Sequence, residues 1–179
     1  NPMLENLSPH VDRIYLAYPS RPFGYIRRSR DSKSNPTSLS HINFEKFGDQ
    51  VKVIEGDWLT EEDTRNDCLQ MAKDEGFDWL VIQDADEFYP DSQWEQLRRA
   101  LLRYKGEELL VTTWYNFWKS SSYVLLERDG FSLKGTNAGF ALRCVDSLNF
   151  IKQRKANNNS RRIVDAPCFH YGYVQSDAE

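Results

Sequence analysis

The stretch DWLVIQDADEFYP, residues 78–90, joins an apolar run to a cluster of acidic side chains. Residues 79–82 are four consecutive apolar residues, and three carboxylates follow within four positions, at Asp84, Asp86 and Glu87. A continuous apolar run of this length is typical of a parallel strand that is covered on both faces. The stretch therefore predicts a buried strand that points at a concentration of negative charge.

Strand and helix patterns alternate on either side of this stretch. Strands are predicted over 11–19, 51–58, 108–119 and 139–145. Thr60 and Asp63 have the spacing of a capping box, which predicts a helix over 61–75. Ser92 and Glu95 have the same spacing and predict a second helix. This alternation implies right-handed crossovers, so the predicted fold is α/β, with a mostly parallel sheet in three layers.

Two polar segments, residues 19–43 and 152–162, are rich in basic side chains and are predicted to be surface loops. The first, around Arg27, offers a contact for an anionic acceptor or a peripheral contact with a membrane surface. Its simpler interpretation is a solvated loop. The aromatic run at 114–118, WYNFW, either stacks on sugar rings or fills the core beside the sheet.

Composition limits the class of protein. The chain has 179 residues, of which 40% are hydrophobic, enough for one domain with a real core. Its formal net charge of -4 argues against a nucleic-acid binder held by general electrostatics. Three widely spaced cysteines, without a C-x-x-C, suggest neither a disulfide framework nor a thiolate zinc site, so a reducing, cytoplasmic setting is predicted. No apolar run approaches the roughly 18 residues of a membrane span.

The paired acids are candidates for a metal site. If the strand continues through them, Asp84 and Asp86 point to the same side. At about 5 Å and an effective dielectric near 20, two such charges repel by roughly 3 kcal/mol. A divalent cation with oxygen ligands, Mn²⁺ or Mg²⁺, would offset this repulsion. The alternative is that the acids cap the following helix or face water.

The segment DWLVIQDADEFY resembles the D-x-D segment of nucleotide-sugar-dependent glycosyltransferases of the GT-A fold, family 2 and its relatives. Residues 55–79 resemble the part of those enzymes in which an Arg-Asn pair opens the helix before that strand. CFHYGYV, residues 168–174, resembles their late histidine segment. The resemblance covers residues 11–174. It implies that 1–179 is a single GT-A-like catalytic domain, a three-layer α/β/α fold whose first strand is expected to precede Asn1.

The resemblance also implies roles for three residues. Asp84 would contact the ribose of the donor, or the metal through water, and Asp86 would bind the Mn²⁺ or Mg²⁺ directly. His170 would be a further metal ligand, although a lone histidine beside aromatics is otherwise a satisfied, half-buried side chain. Asp84 and Asp86 are therefore the predicted catalytic pair.

Three residues before the D-x-D segment are candidates for binding the nucleotide sugar. Arg65 lies near a helix start, where a guanidinium favours a diphosphate; alternatively it pairs with Glu61 or Glu62 on a solvated helix face. Asn66 would position the donor or a loop. Asp57, at the end of the preceding predicted strand, would face the same cleft.

The expected activity is transfer of a sugar from a nucleotide-diphosphate donor to the hydroxyl of a glycan or another acceptor. The resemblance favours inversion, for which the candidate general bases are Asp129, Asp146 and Asp165. The alternatives are a non-catalytic domain that binds nucleotide sugars or carbohydrates, and a D-x-D phosphatase-type hydrolase. The phosphatase pattern expects Thr or Val where Phe88 stands.

Overall fold

The computed structural model describes residues 2–21, 23, 38–106, 109–125, 127–128, 131–132, 136–158 and 160–174. Three α-helices lie in this part of the chain: α1 (Pro2–Leu7), α2 (Glu61–Asp74) and α3 (Asp91–Arg103). The longer strands are β1 (Ile14–Pro19), β2 (Val51–Gly56), β5 (Leu109–Trp118), β8 (Thr136–Arg143) and β11 (Arg161–Tyr173). The shorter ones are β3 (Trp79–Val81), β4 (Glu87–Phe88), β6 (Glu127–Arg128), β7 (Phe131–Ser132), β9 (Phe150–Lys152) and β10 (Lys155–Ala156).

Helix α2 confirms the prediction from its capping box. The amide of Asp63 donates to the hydroxyl of Thr60, and the amide of Thr60 donates to the carboxylate of Asp63. The chain leaves the helix through Gly76, whose φ of +80° suits glycine. These two ends fix where the chain enters β3.

The second capping-box prediction is wrong. Helix α3 begins at Asp91, directly after Pro90, and no side chain caps its first turn. Ser92 therefore lies inside the first turn instead of before it. Proline fits this boundary because its fixed φ suits the entry to a helix and it has no amide hydrogen to leave unpaired.

The predicted three-layer α/β/α fold with a mostly parallel sheet is wrong. The chain forms a curled mixed sheet, shaped like half a barrel, with more residues in strands than in helices. Its five strands lie in the order β3-β8-β5-β11-β4. Only the pairing of β5 with β11 is parallel, and the other three pairings are antiparallel.

The prediction that residues 79–82 form a parallel strand covered on both faces is also wrong. Strand β3 is three residues long and runs antiparallel to β8, with half-buried side chains. The parallel pair that does follow a crossover, β1 with β2, forms a separate two-stranded sheet. The apolar run marks the strand, but it fixes neither how deeply the strand is buried nor the direction of its neighbour.

Apolar side chains from two helices anchor the sheet. On α3, Trp94 and Leu97 are fully buried and pack in one core cluster with Leu110 of β5 and Phe140 of β8. On α2, Leu69 packs in a second cluster, with Ile82, Val111, Leu142 and Phe150. The five-stranded sheet is therefore packed against both longer helices.

The prediction that the basic segment 152–162 is a surface loop is wrong as well. It contains the antiparallel turn from β9 to β10 and the start of β11. The other predicted basic loop, including Arg27, lies mostly outside the described residues. Among the helices that the structure describes, none is long and apolar enough to cross a membrane.

Candidate metal centre

The D-A-D segment lies in a turn, because β3 ends at Val81 and β4 begins at Glu87. The amide of Glu87 donates to the carbonyl of Asp84 at 3.1 Å, and the amide of Asp84 donates to the Glu87 carboxylate at 3.1 Å. Strand alternation therefore does not set the directions of Asp84 and Asp86. Instead, each carboxylate has its own partners.

Asp86 faces His170. The Asp86 Oδ2 atom lies 3.3 Å from the Nε2 atom of His170, and the amide of Tyr171 donates to the Asp86 carbonyl at 2.8 Å. Strands β4 and β11 pair antiparallel with Glu87 opposite His170, which brings the turn against the histidine. The ring of His170 holds the pKa of Asp86 below its usual value, against the opposing effect of burial.

Asn116 of β5 contacts the other nitrogen of the histidine ring. The Nδ1 atom of His170 and the Oδ1 atom of Asn116 are 2.7 Å apart. An amide oxygen only accepts hydrogen bonds, so this contact places a proton on Nδ1. A neutral ring then turns the lone pair of Nε2 towards the carboxylate of Asp86. Two acceptors 3.3 Å apart are stable only with a cation between them or a second proton on the ring.

Gly172 makes the approach of these two side chains possible. A Cβ atom at position 172 would lie 2.6 Å from Asp86 Oδ2 and 3.0 Å from two atoms of the His170 ring. The first distance is a steric overlap. A side chain at position 172 would therefore have to displace one of the two groups.

Asp84 is neutralised by arginines. The Nη2 atom of Arg154 lies 2.7 Å from one carboxylate oxygen of Asp84, and Arg65 lies 3.4 Å from the other. The repulsion expected between the paired acids is thus offset at Asp84 by protein cations. Asp86 is the carboxylate of the pair whose charge faces an imidazole instead.

Glu87 is the buried member of the charged cluster that contains Asp84 and Arg154. Its side chain is fully buried, and one carboxylate oxygen lies 2.6 Å from Arg154 Nη2. Burial and, to a lesser extent, the charge of Asp84 raise the pKa of Glu87 against the opposing effect of Arg154, and the net result is a pKa of about 7. Burial lowers the pKa of Arg154, but Glu87 and Asp84 outweigh that effect and raise it overall.

The residues present fit a hard divalent cation with two protein donors. Adjacent ligands of an octahedral ion with bonds of about 2.1 Å are about 3.0 Å apart, close to the 3.3 Å between the donor atoms of Asp86 and His170. The described residues hold no cluster of three or more potential ligands. The other coordination positions would therefore fall to water and substrate oxygens, the usual arrangement for Mg²⁺.

The other predicted site residues lie at different places. Arg65 pairs with Glu61 at 2.9 Å as well as with Asp84, and both Arg65 and Asp84 line a cavity of about 810 Å³ between β1 and β3. The side-chain amide of Asn66 donates to the Phe150 carbonyl and accepts from the Phe150 backbone N–H, and so links α2 to β9. Asp57 pairs with Arg21 at 3.3 Å.

We observe no contact between the metal centre and either of the two candidate general bases that the structure describes. Asp146 follows β8 and is exposed, and Asp165 is exposed on β11. Asp129 lies outside the described residues. All three stay predictions.

Sequence reasoning missed four residues of the site: Glu87, Asn116, Arg154 and Gly172. Only Gly172 had a usable signal, because a glycine inside a strand pattern often marks a close approach of another group. Arg154 was hidden in a basic segment, and Asn116 stood in an aromatic run that indicated sugar stacking or core.

In comparisons with known proteins, no protein-family model matches this chain, and no curated protein matches it either. The chemistry of the site is therefore inferred from the contacts of its own residues.

Proposed function

We propose that this chain is a metal-dependent glycosyltransferase that moves a sugar from a nucleotide-diphosphate donor to an acceptor hydroxyl. The observation that carries the proposal is the opposition of Asp86 and His170, with Asn116 fixing the far side of the ring. This arrangement leaves two acceptors facing one another, which a cation would stabilise. The resemblance of the D-x-D and late histidine segments to family 2 glycosyltransferases supplies the reaction class.

In this proposal Asp86 and His170 hold Mn²⁺ or Mg²⁺. The cation, when bound, supplies positive charge to the diphosphate leaving group as the bond to the sugar breaks. Asn116 would hold one ring proton on Nδ1, which leaves Nε2 as the ring nitrogen that would bind the cation. Gly172 leaves room for both ligands to approach.

Arg65 and Asp84 would bind the donor. Both line the cavity of about 810 Å³, a volume in the range that small-molecule ligands occupy. The guanidinium of Arg65 suits the diphosphate, since it can donate two parallel hydrogen bonds. Asp84, already held by Arg154, is suited to accept hydrogen bonds from hydroxyl groups of the ribose.

The acceptor in this proposal is a glycan or another hydroxyl compound, and inversion is the proposed stereochemistry. Inversion requires a carboxylate beside the acceptor to take its proton, and the candidates for this base are Asp129, Asp146 and Asp165. We further propose a cytoplasmic setting, since all three cysteines are free thiols and a reducing compartment maintains that state.

The test is a calorimetric titration of UDP and GDP into the protein with and without Mn²⁺, comparing the wild type with Asp86→Asn. We expect nucleotide binding that requires Mn²⁺ and is lost in the variant. The matched control is Asp91→Asn. It removes the carboxylate of a second Asp–His pair among the described residues, in which Asp91 lies 3.6 Å from His10, and should bind as the wild type does.

Turnover separates the enzyme from a binding domain. Donors that bind should release their sugar to water or to an added acceptor, at a rate that Asp86→Asn reduces. Metal-dependent nucleotide binding without any sugar release would support the non-catalytic alternative. Absence of binding to both nucleotides, in a folded protein, would refute the proposal.

A further inference from the structure

The ring of Trp114, on β5, contacts two residues of the candidate site, His170 and Arg154. Its indole stacks on the imidazole of His170, with ring centroids 4.5 Å apart and an angle of 17° between the planes. The guanidinium carbon of Arg154 lies 5.0 Å from the Trp114 ring centroid. One aromatic side chain thus touches the partner of Asp86 and the partner of Asp84.

The two contacts come from different sides of β5. His170 belongs to β11, and the backbone of Arg154 lies so close to Gly139 of β8 that a Cβ atom there would meet the Arg154 carbonyl at 2.5 Å. Strands β8 and β11 flank β5 on opposite sides. Trp114 is therefore contacted by two side chains whose backbones lie on opposite sides of β5.

The ring faces, and not the polar atom, explain the position of Trp114. Its indole nitrogen is buried and has no hydrogen-bond partner in the described part of the chain. A group held by its N–H would have such a partner, because a buried donor without one is costly. Its side chain packs against the first core cluster, and its ring makes the stack on His170 and the cation–π contact with Arg154.

The stack limits how the His170 ring can turn. An imidazole stacked on an indole must stay nearly parallel to it, so rotation of the imidazole about its Cβ–Cγ bond is restricted. Within that plane the Asn116 contact decides that Nδ1 points away from Asp86. Loss of the indole would free the ring to rotate, and Nε2 would no longer be held towards the carboxylate.

We propose that Trp114 is a positioning residue that fixes the His170 ring towards Asp86 and the Arg154 guanidinium towards Asp84. The catalytic meaning of this role rests on the proposed function. The orientation of the histidine does not, because it is argued from the ring contacts with Trp114 and Asn116 alone.

The test compares Trp114→Leu, which removes the ring, with Trp114→Phe, which keeps a flat face. Long-range ¹H–¹⁵N spectra of the imidazole rings in metal-free protein report which ring nitrogens carry protons. The chain has three histidines, so a His170→Gln spectrum assigns the signals of His170. We expect one resolved Nδ1–H signal of His170, held by Asn116, in the wild type and Trp114→Phe, and an averaged or broadened Nδ1–H signal in Trp114→Leu.

A second readout is Mn²⁺ affinity. Groups that orient a metal ligand typically change affinity 10–100-fold, so we expect a loss of that size in Trp114→Leu and recovery to within about threefold in Trp114→Phe. Tyr115→Leu is the matched control. Tyr115 is the next residue of β5 and stacks on Phe169, so this variant should leave the Nδ1–H signal of His170 unchanged.

The outcomes are distinct. If Trp114→Leu keeps the single Nδ1–H signal of His170, the positioning role is refuted. If the wild type binds no Mn²⁺, the proposed function fails, while the ring spectra still decide the role of Trp114. Circular dichroism checks the fold, and Trp114→Met replaces Trp114→Leu should the latter not fold. Loss of the single Nδ1–H signal in Tyr115→Leu as well would show general loosening of β5 and would also refute the role.

Discussion

The guanidinium of Arg154 shares one nitrogen between two carboxylates, 2.6 Å from Glu87 and 2.7 Å from Asp84. Glu87 is fully buried and Asp84 is half-exposed, so the arginine joins the interior of the protein to the candidate site. Arg65 adds a second positive charge 3.4 Å from Asp84. Burial is the main cause that favours the protonated form of Glu87, and the charge of Asp84 adds to it.

Stability should therefore depend on pH through Glu87. Its pKa is raised from an ordinary 4.5 to about 7, so its contribution is complete below pH 4.5 and is lost as the pH rises through 7. The difference between these pKa values corresponds to about 3 kcal/mol. We expect wild type to lose about that much unfolding free energy relative to Glu87→Gln between pH 4.5 and pH 8, measured by urea unfolding. A difference independent of pH would contradict this prediction.

Arg154→Met should destabilise the protein strongly at pH 8. It leaves the carboxylate of Glu87 buried without a cation, and breaking a buried ion pair from one side costs about 3–5 kcal/mol. At pH 5 the loss should be smaller, because Glu87 is then mostly protonated. The control is Arg99→Met, which breaks the exposed pair with Glu95 and should cost about 0–1 kcal/mol. Equal losses in the two variants would contradict the buried pair.

Local signals in the sequence predicted the elements better than their arrangement. The capping box of Thr60 and Asp63 fixed the start of α2 because both partners lie within one turn. The direction of β3 depends on β8, whose pairing residues lie about sixty positions later in the chain. No local pattern records that choice, and a parallel sheet was therefore predicted where a mixed one forms.

The residues of the candidate site also fall into those that the local sequence indicates and those that it does not. The acids of the D-x-D segment and His170 were identified by residue type and by resemblance. Arg154 was missed because the burial of an arginine is decided by carboxylates 67 and 70 positions away in the sequence, at Glu87 and Asp84. Asn116 was missed because its partner His170 lies 54 positions away.

Gly172→Ala should weaken metal binding with little effect on folding. The added methyl group would overlap Asp86 Oδ2 and touch the His170 ring, and displacement of either ligand should lower Mn²⁺ affinity at least about tenfold. Gly106→Ala is the control, since nothing lies within 4 Å of the added atom. Titration calorimetry measures both. Unchanged affinity in Gly172→Ala would show that the two side chains do not form the metal site.

Asn116 should control Mn²⁺ affinity through the far nitrogen of His170. In Asn116→Ala the Nδ1 atom loses its acceptor, so the proton can move to Nε2 and block the nitrogen that faces Asp86. We expect a 10–100-fold loss of affinity, measured by calorimetry at pH 7.5.

Asn116→Asp separates this effect from a loss of packing. A carboxylate still accepts from Nδ1–H and makes the ring a better ligand, so this variant should bind Mn²⁺ at least as tightly as the wild type. It should also be less stable, since Asn116 is buried and a buried charge is costly. Retained affinity with reduced stability is the signature of a hydrogen-bond role for Asn116. If both variants lose affinity equally, the shape of the asparagine is what the site requires, and the assignment of Nε2 as the metal-binding nitrogen would fail.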